Sequence, residues 1–357
     1  MSAGPIDAAR AEAFATQMLG IVNGGFLSLM ASLGHQTGLF DTMDGLPPAT
    51  SQEIADAAGL KERYVREWLG AMVVGRIVEY EPSSRTYRLP PAHAACLTRA
   101  AGTENLAGLA RFVSMLGVVE PELVDVFRSG GGLPYAAYPR FHEVLAEEGR
   151  TVLEANLLAH TLPLVHGLVD RLEAGIDVAD VGCGRGVAVA LMARRFPHSR
   201  FAGLDFSAEA IAWAQDAAAR EALPNARYEV RDAVDVGEPP EQYDFVTAFD
   251  AIHDQARPRQ VLSAVRRALR PGATFLMSDV AVSSHLERNL KHPLAPFLYT
   301  LSTMHCMTVS LSQGGEGLGT CWGEESARAM LAEAGFSRVD VALIEGDPLN
   351  AFYVCRA

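Results

Sequence analysis

The sequence predicts two domains of different class. The N-terminal half is mostly helical and contains a winged helix; the C-terminal half is α/β, a doubly wound sheet of seven strands with the last strand antiparallel. Three observations predict this. Up to about residue 170 apolar residues recur at helical spacing, whereas after Ile176 short apolar runs alternate with helical patterns. The stretch "VADVGCGRG" sets Gly182, Gly184 and Gly186 directly after one such run, and Asp205 closes the next run 23 residues after Gly182. Finally, "FSRVDVALIEGDPLNAFYVCRA" shows two alternating runs around "GDPLN", an antiparallel hairpin that closes the sheet.

In the N-terminal half, helical spacing runs from Ala11 to Leu33, and Gly20, Gly24 and Gly25 flatten one face for close helix approach. Thr50 and Glu53 form a capping box, Gly59 ends that short helix, and Val65, Leu69, Met72 and Val73 line a second one. Strands at Ile77–Tyr80 and Thr86–Leu89, joined by "EPSSR", complete the winged helix. A DNA-reading role would use Lys61, Arg63 and Arg66, but Glu62 and Glu67 offset them, which favours a packing or dimerisation module. The loop "RSGGGLPYAAYP" is expected to be exposed and mobile, and Leu153 to Leu172 to form one long helix. The expected domains are 1–150 and 151–357, with the boundary falling between Gly149 and Gly175.

In the C-terminal half the expected strands are Val178–Val181, Arg200–Leu204, Ala226–Val230, Phe245–Phe249 and Thr274–Ser278, followed by the terminal hairpin. Helices are expected at Gly186–Arg195, Ala208–Arg220 and Pro258–Leu269.

Bulk properties narrow the function. A chain of 357 residues with net charge −13, 49% hydrophobic and 20% charged, has the composition of a soluble globular protein. That charge opposes phosphate backbones and anionic lipid, so neither a nucleic-acid nor a membrane partner is expected. No apolar run reaches the roughly 20 residues of a bilayer span, and the first residues lack the order of a signal peptide. Five cysteines without regular spacing are expected to be free thiols in the cytoplasm.

The glycine turn can be tested against three ligands. A triphosphate loop needs Lys and Ser or Thr after the last glycine, and Val187 and Ala188 stand there instead. A dinucleotide turn reads G-x-G-x-x-G, and Val187 occupies the third glycine position. Asp180, Asp205, Asp232 and Asp250 fall at the ends of successive strands, a rim that repels a pyrophosphate and attracts a sulfonium.

From Ile176 to Ala357 the chain resembles the class I methyltransferases that use S-adenosylmethionine (SAM). "VADVGCGRG", "FAGLDFS", "VRDAV" and "YDFVTAFDAIHD" stand as the first to fourth motifs of that Rossmann-like fold, in order. The resemblance implies SAM as cofactor, with Gly182 and Gly184 facing its methionine part. It implies Asp205 on the ribose, Asp232 on the adenine amine and Asp250 at the methionine end. Asp180, Phe206 and Ala233, in the same motifs, complete the expected set. Each Asp also has a plainer role as a helix N-cap.

The whole chain resembles small-molecule methyltransferases with an N-terminal winged-helix dimerisation domain, including plant and bacterial O-methyltransferases, which implies a homodimer acting on a small methyl acceptor. In many of them the histidine of an "HD" pair is the general base. His253-Asp254 stands at that place, followed by Gln255 where the plant enzymes usually have Trp. The resemblance makes Asp279 the partner that orients the base and Glu316 a second one. Imidazole, with a pKa of about 6.5, can take a proton from a phenol (about 10) or a thiol (about 8.5) as the methyl bond forms. The plainer alternative is a structural His253, with Asp254 capping the next helix.

Leu298 to Glu325 would line the acceptor pocket as a lid helix and glycine hinge. His305, Cys306 and Cys321 lack metal-site spacing, and no metal is expected. The rival readings are a SAM-sensing winged-helix transcriptional regulator or a catalytically silent scaffold, and after them an oxidoreductase.

Overall fold

The structure, a computed structural model, describes residues 7–345 and 347–356. It divides into two compact units, Met1–Gly117 and Val118–Ala357. The division therefore precedes residue 150, and the helices expected to close the first domain fold with the second.

The first unit opens with α1 (Ala8–Thr37), capped by Asp7, which accepts a bond from the Arg10 N–H at 3.2 Å, and ended by Gly38 in the left-handed conformation. Then come α2 (Leu39–Asp44), α3 (Ser51–Ala58) and α4 (Glu62–Val74). The capping box on α3 is as expected: Thr50 Oγ1 accepts from Glu53 N, and Glu53 accepts from Thr50 N at 2.7 Å. Gly59 ends the helix at φ 67°. Val65, Trp68, Leu69 and Met72 of α4 are buried against Phe40 and Ile54. Phe40 meets the Trp68 ring edge-on at 5.3 Å, while Trp68 Nε1 donates to Met30 O at 2.8 Å.

The wing strands β1 (Glu79–Glu81) and β2 (Thr86–Arg88) are shorter than expected. Ile77 and Val78 do not enter the ladder because both of their N–H groups donate to Met72 O, finishing α4. Within the chain, close packing falls at another glycine of α1. Gly34 is the residue whose added Cβ would strike Trp68 and Phe40, whereas Gly20, Gly24 and Gly25 face open space within the chain. By length and composition α1 would suffice to cross a bilayer, although it is no unbroken apolar run. Phe14, Met18, Val22, Phe26, Leu29 and Leu33 form an exposed stripe along it.

In the second unit the expected long helix is broken. Phe141–Asn156 continues as a π-turn and a 3₁₀-turn to Leu164, and the chain restarts at Leu168–Ala174, bent by 104°. Pro163 lacks an N–H and Gly167 is left-handed at φ 72°, so neither continues an α-helix. Leu157, Leu168 and Leu172 still reach the core.

The sheet contains β3 (Asp177–Val181), β4 (Arg200–Asp205), β5 (Ala226–Val230), β6 (Tyr243–Phe249), β7 (Leu269–Val280), β8 (Arg338–Ile344) and β9 (Asp347–Arg356). Their order is β5-β4-β3-β6-β7-β9-β8, with β9 antiparallel to both neighbours. This is the seven-stranded Rossmann-like sheet that was expected. The order reverses beside β3, so the crevice outside the carboxyl ends of β3, β4 and β6 is where such sheets bind ligands. The middle strands are buried on both faces, which explains their continuous apolar runs. β7 runs to twelve residues because it pairs with β6 on one side and β9 on the other. In the terminal hairpin, Leu349 and Asn350 belong to β9 rather than to a turn, and Gly346 of the expected "GDPLN" turn lies outside the described residues.

Phe245 is fully buried at the centre of β6, beside Val178 of β3 and Thr274 of β7. Phe245→Ala is expected to cost about 3–5 kcal/mol, read as a drop in the urea midpoint at unchanged slope.

Candidate functional site

The glycine turn forms because three successive alternate residues must take left-handed φ: 72° at Gly182, 52° at Gly184 and 75° at Gly186. A Cβ at Gly182 would fall 2.5 Å from that of Ala251, and one at Gly186 would enter the Tyr228 ring. At Gly184 nothing lies within 4 Å. Gly182 and Gly186 are therefore glycine for packing, and Gly184 is the position that leaves backbone open. Cys183, between them, is packed near Gly203 and its thiol is pushed well above its usual range by burial, so it fills space.

Asp205 ends β4 and is only 7% exposed. Its Oδ2 accepts from Gly184 N at 2.8 Å and its Oδ1 from Ser207 N at 2.8 Å. A carboxylate has about four lone-pair sites, so capacity for ribose hydroxyls remains. Next to it the ring of Phe206 is 50% exposed.

The other acids behave differently. Asp180 is buried under the turn and accepts from Thr247 Oγ1 at 2.7 Å. Burial pushes its carboxyl up to about 7, a rise that the Thr247 bond moderates and the charge of Asp205 reinforces. Asp232 is half exposed; it caps its own turn through Val234 N at 3.1 Å and pairs with Arg257 at 2.8 Å. Ala233 beside it is buried. Asp250 is exposed at the end of β6 and holds a φ of 49°, rare for a residue other than glycine. Its N–H returns to Ser278 O at 3.1 Å, and this sharp turn carries the chain into Ala251–His253.

His253 is 4% exposed. Its Nδ1 lies 2.8 Å from Oδ1 of the fully buried Asp279, and its Nε2 lies 3.3 Å from Asp254 Oδ1. Burial alone would lower the imidazole, but the charges of Asp279 and Asp254 outweigh it and hold His253 well above 6.5. Because its folded value is raised, the stability it contributes is complete below about pH 6.5 and is lost as pH rises through the folded value. Glu316 does not join this pair. It is exposed, and its carboxylate binds Arg259 at 3.2 Å because the glycine-rich loop carries it outward.

A second wall of the site was missed. The loop expected to be free is anchored, with Leu133 N donating to Thr308 Oγ1 at 2.9 Å and Tyr138 OH to Met304 O. Phe141 stacks on His305 at 3.5 Å, and Tyr135 and Tyr138 meet the same ring edge-on. The Tyr135 ring is also 5.9 Å from Phe206, and its phenol, raised chiefly by burial, feels Asp254, Asp205 and Cys306. Tyr135 thus bridges the glycine-turn side and the His253 side. The available signal was the spacing of Tyr135, Tyr138 and Phe141, three apart each time. Cys306 is buried near His253 and accepts from Thr320 Oγ1 at 3.0 Å, with burial pushing its thiol up to about 12. All five cysteines are free.

Comparisons with known proteins agree with this architecture. Residues 25–99 match the family model of the Rv2258c-like winged HTH domain, and residues 172–335 match that of a methyltransferase domain. Among curated proteins, the fatty-acid O-methyltransferase of Mycolicibacterium smegmatis is 29% identical over 121 residues, 34% of this chain and 43% of that protein. The chain spans about half the length of the curated relatives it matches. Among solved structures, human N-acetylserotonin methyltransferase in complex with SAM is 17% identical with a TM-score of 0.69, covering 100% of this chain and 99% of that one. An O-methyltransferase family protein from Burkholderia thailandensis is 15% identical with a TM-score of 0.67, covering 96% and 97%. The chain is an N-terminal winged-helix domain fused to a methyltransferase domain of class I, Rossmann-like fold.

Proposed function

We propose that this protein transfers a methyl group from SAM to a small-molecule acceptor, with a phenol-type oxygen as the favoured nucleophile and a thiol or amine as the next choice. One observation carries the reading: Asp205 is bonded to the open Gly184 backbone in a turn that touches the loop holding the His253–Asp279 pair.

The residues present fit the donor. Gly184 leaves exposed backbone where a Cβ would stand, Asp205 keeps acceptor capacity for ribose hydroxyls, and the exposed Phe206 ring offers an apolar face to adenine. Asp232 with Ala233 would take the adenine edge, and Gly182 and Asp250 the methionine end. When bound, SAM supplies an electrophilic methyl group on a positively charged sulfur. The protein's part is to hold the acceptor in line, exclude water and receive the acceptor's proton. Tyr135, Tyr138 and Phe141 would wall off the acceptor. Asp279 orients His253 by holding Nδ1, which leaves Nε2 to accept the proton. Among curated relatives the fatty-acid O-methyltransferase likewise carries an oxygen acceptor in its name.

We further assign the exposed stripe of α1 to a homodimer interface. Its apolar side chains, together with glycines that face open space, suit a second copy of the same helix. A regulator that reads DNA is less well supported, since Arg63 pairs with Glu67 and Arg66 with Glu62 on α4. Five free thiols suit a cytoplasmic setting.

Titration calorimetry should detect SAM binding and none of NAD, and Asp205→Ala should weaken SAM at least about tenfold, as the loss of a charged hydrogen-bond acceptor predicts. Binding of NAD without SAM would overturn the reading. With a phenolic acceptor, His253→Ala should lower kcat by about 10²–10⁴. The wild-type rate should rise with pH along a limb centred above 6.5, and Asp279→Asn should move that limb downward by removing the charge that raises His253. A limb that stays in place in Asp279→Asn would exclude His253 as the base. Light scattering should report a dimer that Phe26→Glu converts to monomer; a monomeric wild type would refute the interface.

A further inference from the structure

His253, Asp254 and Cys306 gather three different donor types at one point: an imidazole nitrogen, a carboxylate oxygen and a thiol sulfur, all within 4.8 Å of one another. In a tetrahedral zinc site the metal–ligand lengths place ligand atoms roughly 3.3–3.6 Å apart. His253 Nε2 and Asp254 Oδ1 already stand at 3.3 Å, and the sulfur lies within 4.8 Å of both residues' ligand atoms.

Two further features are those of a metal site. The other imidazole nitrogen is bonded to Asp279, the carboxylate–histidine arrangement that fixes the ring and aims Nε2 at a metal. The sulfur has its own outer partner, the Thr320 hydroxyl at 3.0 Å. Asp254 Oδ1 is buried with no hydrogen bond, only the 3.3 Å ion-pair contact with His253 Nε2, and Asp279 Oδ2 is buried with no hydrogen bond, so the pocket keeps carboxylate oxygen available to a cation. These ligands differ from the His305, Cys306 and Cys321 set considered from the sequence, because His305 is turned onto Phe141.

We infer that His253, Asp254 and Cys306 form a binding site for a borderline divalent transition-metal ion of the zinc type. Binding replaces the thiol proton of Cys306 by a sulfur–metal bond and displaces the proton that the imidazolium carries on Nε2, both protons leaving to solvent. It also occupies the Nε2 lone pair. A metal-loaded chain therefore lacks the proton acceptor assigned above, and the site works as a metal-sensitive brake on the reaction. The binding claim itself stands whether or not the chain methylates anything.

The experiment uses the full-length protein with no methyl donor present. After treatment with chelating resin, Zn²⁺ is titrated in competition with a chromophoric chelator, and Co²⁺ is added separately as a spectroscopic probe. One Zn²⁺ per chain is expected, weakened at least tenfold by Cys306→Ser and by Asp254→Asn and unchanged in Cys96→Ser, whose thiol is exposed in the first unit. Co²⁺ should produce a thiolate-to-metal charge-transfer band that persists in Cys96→Ser, a readout that holds even if the Cys306 variant folds poorly. Absence of stoichiometric Zn²⁺, equal affinity in Cys306→Ser, or Co²⁺ bound without that band would overturn the inference.

Discussion

The 2.8 Å bond from Gly184 N–H to the Asp205 carboxylate is the constraint on which the cleft depends. Parallel pairing sets Val181 beside Leu204, and Leu204 O then receives both Gly182 N and Cys183 N, at 2.8 and 3.1 Å. One residue further along each strand, the carboxylate takes the next N–H. The turn is thereby sewn to β4 at three consecutive peptides, and the other carboxylate oxygen holds Ser207 at the start of the following helix. A charge-assisted bond of this kind contributes about 1.5–3 kcal/mol. Its larger consequence is geometric. Three left-handed residues in five would otherwise sample many conformations, and the acid selects the one that opens the backbone of Gly184.

A rim of carboxylates on neighbouring strands would repel itself, and the structure shows how that repulsion is relieved. Asp180 is buried and shifted toward holding its proton, Asp232 is paired with Arg257, and Asp254 and Asp279 share His253. Desolvation, reinforced by the charge of Asp279, likewise pushes Asp250 up to about 8, so the negative charge left to face a cationic ligand is concentrated at Asp205. Of the four strand-end acids read from the sequence, Asp180 and Asp250 are shifted upward and Asp232 is paired, which leaves Asp205 to face a cation.

The sequence made legible whatever depends on neighbours along the chain. The capping box of Thr50 and Glu53, the strand at Ala226–Val230 and the helix at Ala208–Arg220 follow from local pattern, and the doubly wound sheet follows from alternation of strands with helices. His253 and Asp279, 26 residues apart, were paired only through resemblance, and the structure brings them to 2.8 Å. What escaped notice depends on contacts between distant segments. Tyr135 reads as part of a glycine-rich loop until Thr308 and Met304, some 170 residues later, are seen to hold that loop down. The break after Leu164 was hidden because apolar spacing continues across it; Leu157 and Leu168 face the same core from two differently directed helices. Glu316 was aligned by order along the chain, and the order of residues in a glycine-rich loop carries no information about which way a side chain points.

The reversed last strand has a consequence for chemistry as well as for topology. Asp279 lies at the end of the long strand β7, one residue past the last pairing with β6 (Ser278 with Phe249), and β9 lies against it there, with Asp279 opposite Ala351, at the point where the strand meets the cleft. Its Oδ1 accepts from Val280 N at 2.8 Å as well as facing His253, so the carboxylate is fixed by its own strand before it meets the imidazole. An open parallel edge at this place would leave the acid on a mobile strand terminus, free to turn toward water. Inserting an antiparallel strand therefore buries a charge that the fold could not otherwise keep, and that buried charge sets both the orientation of His253 and the cost of leaving its ring uncharged.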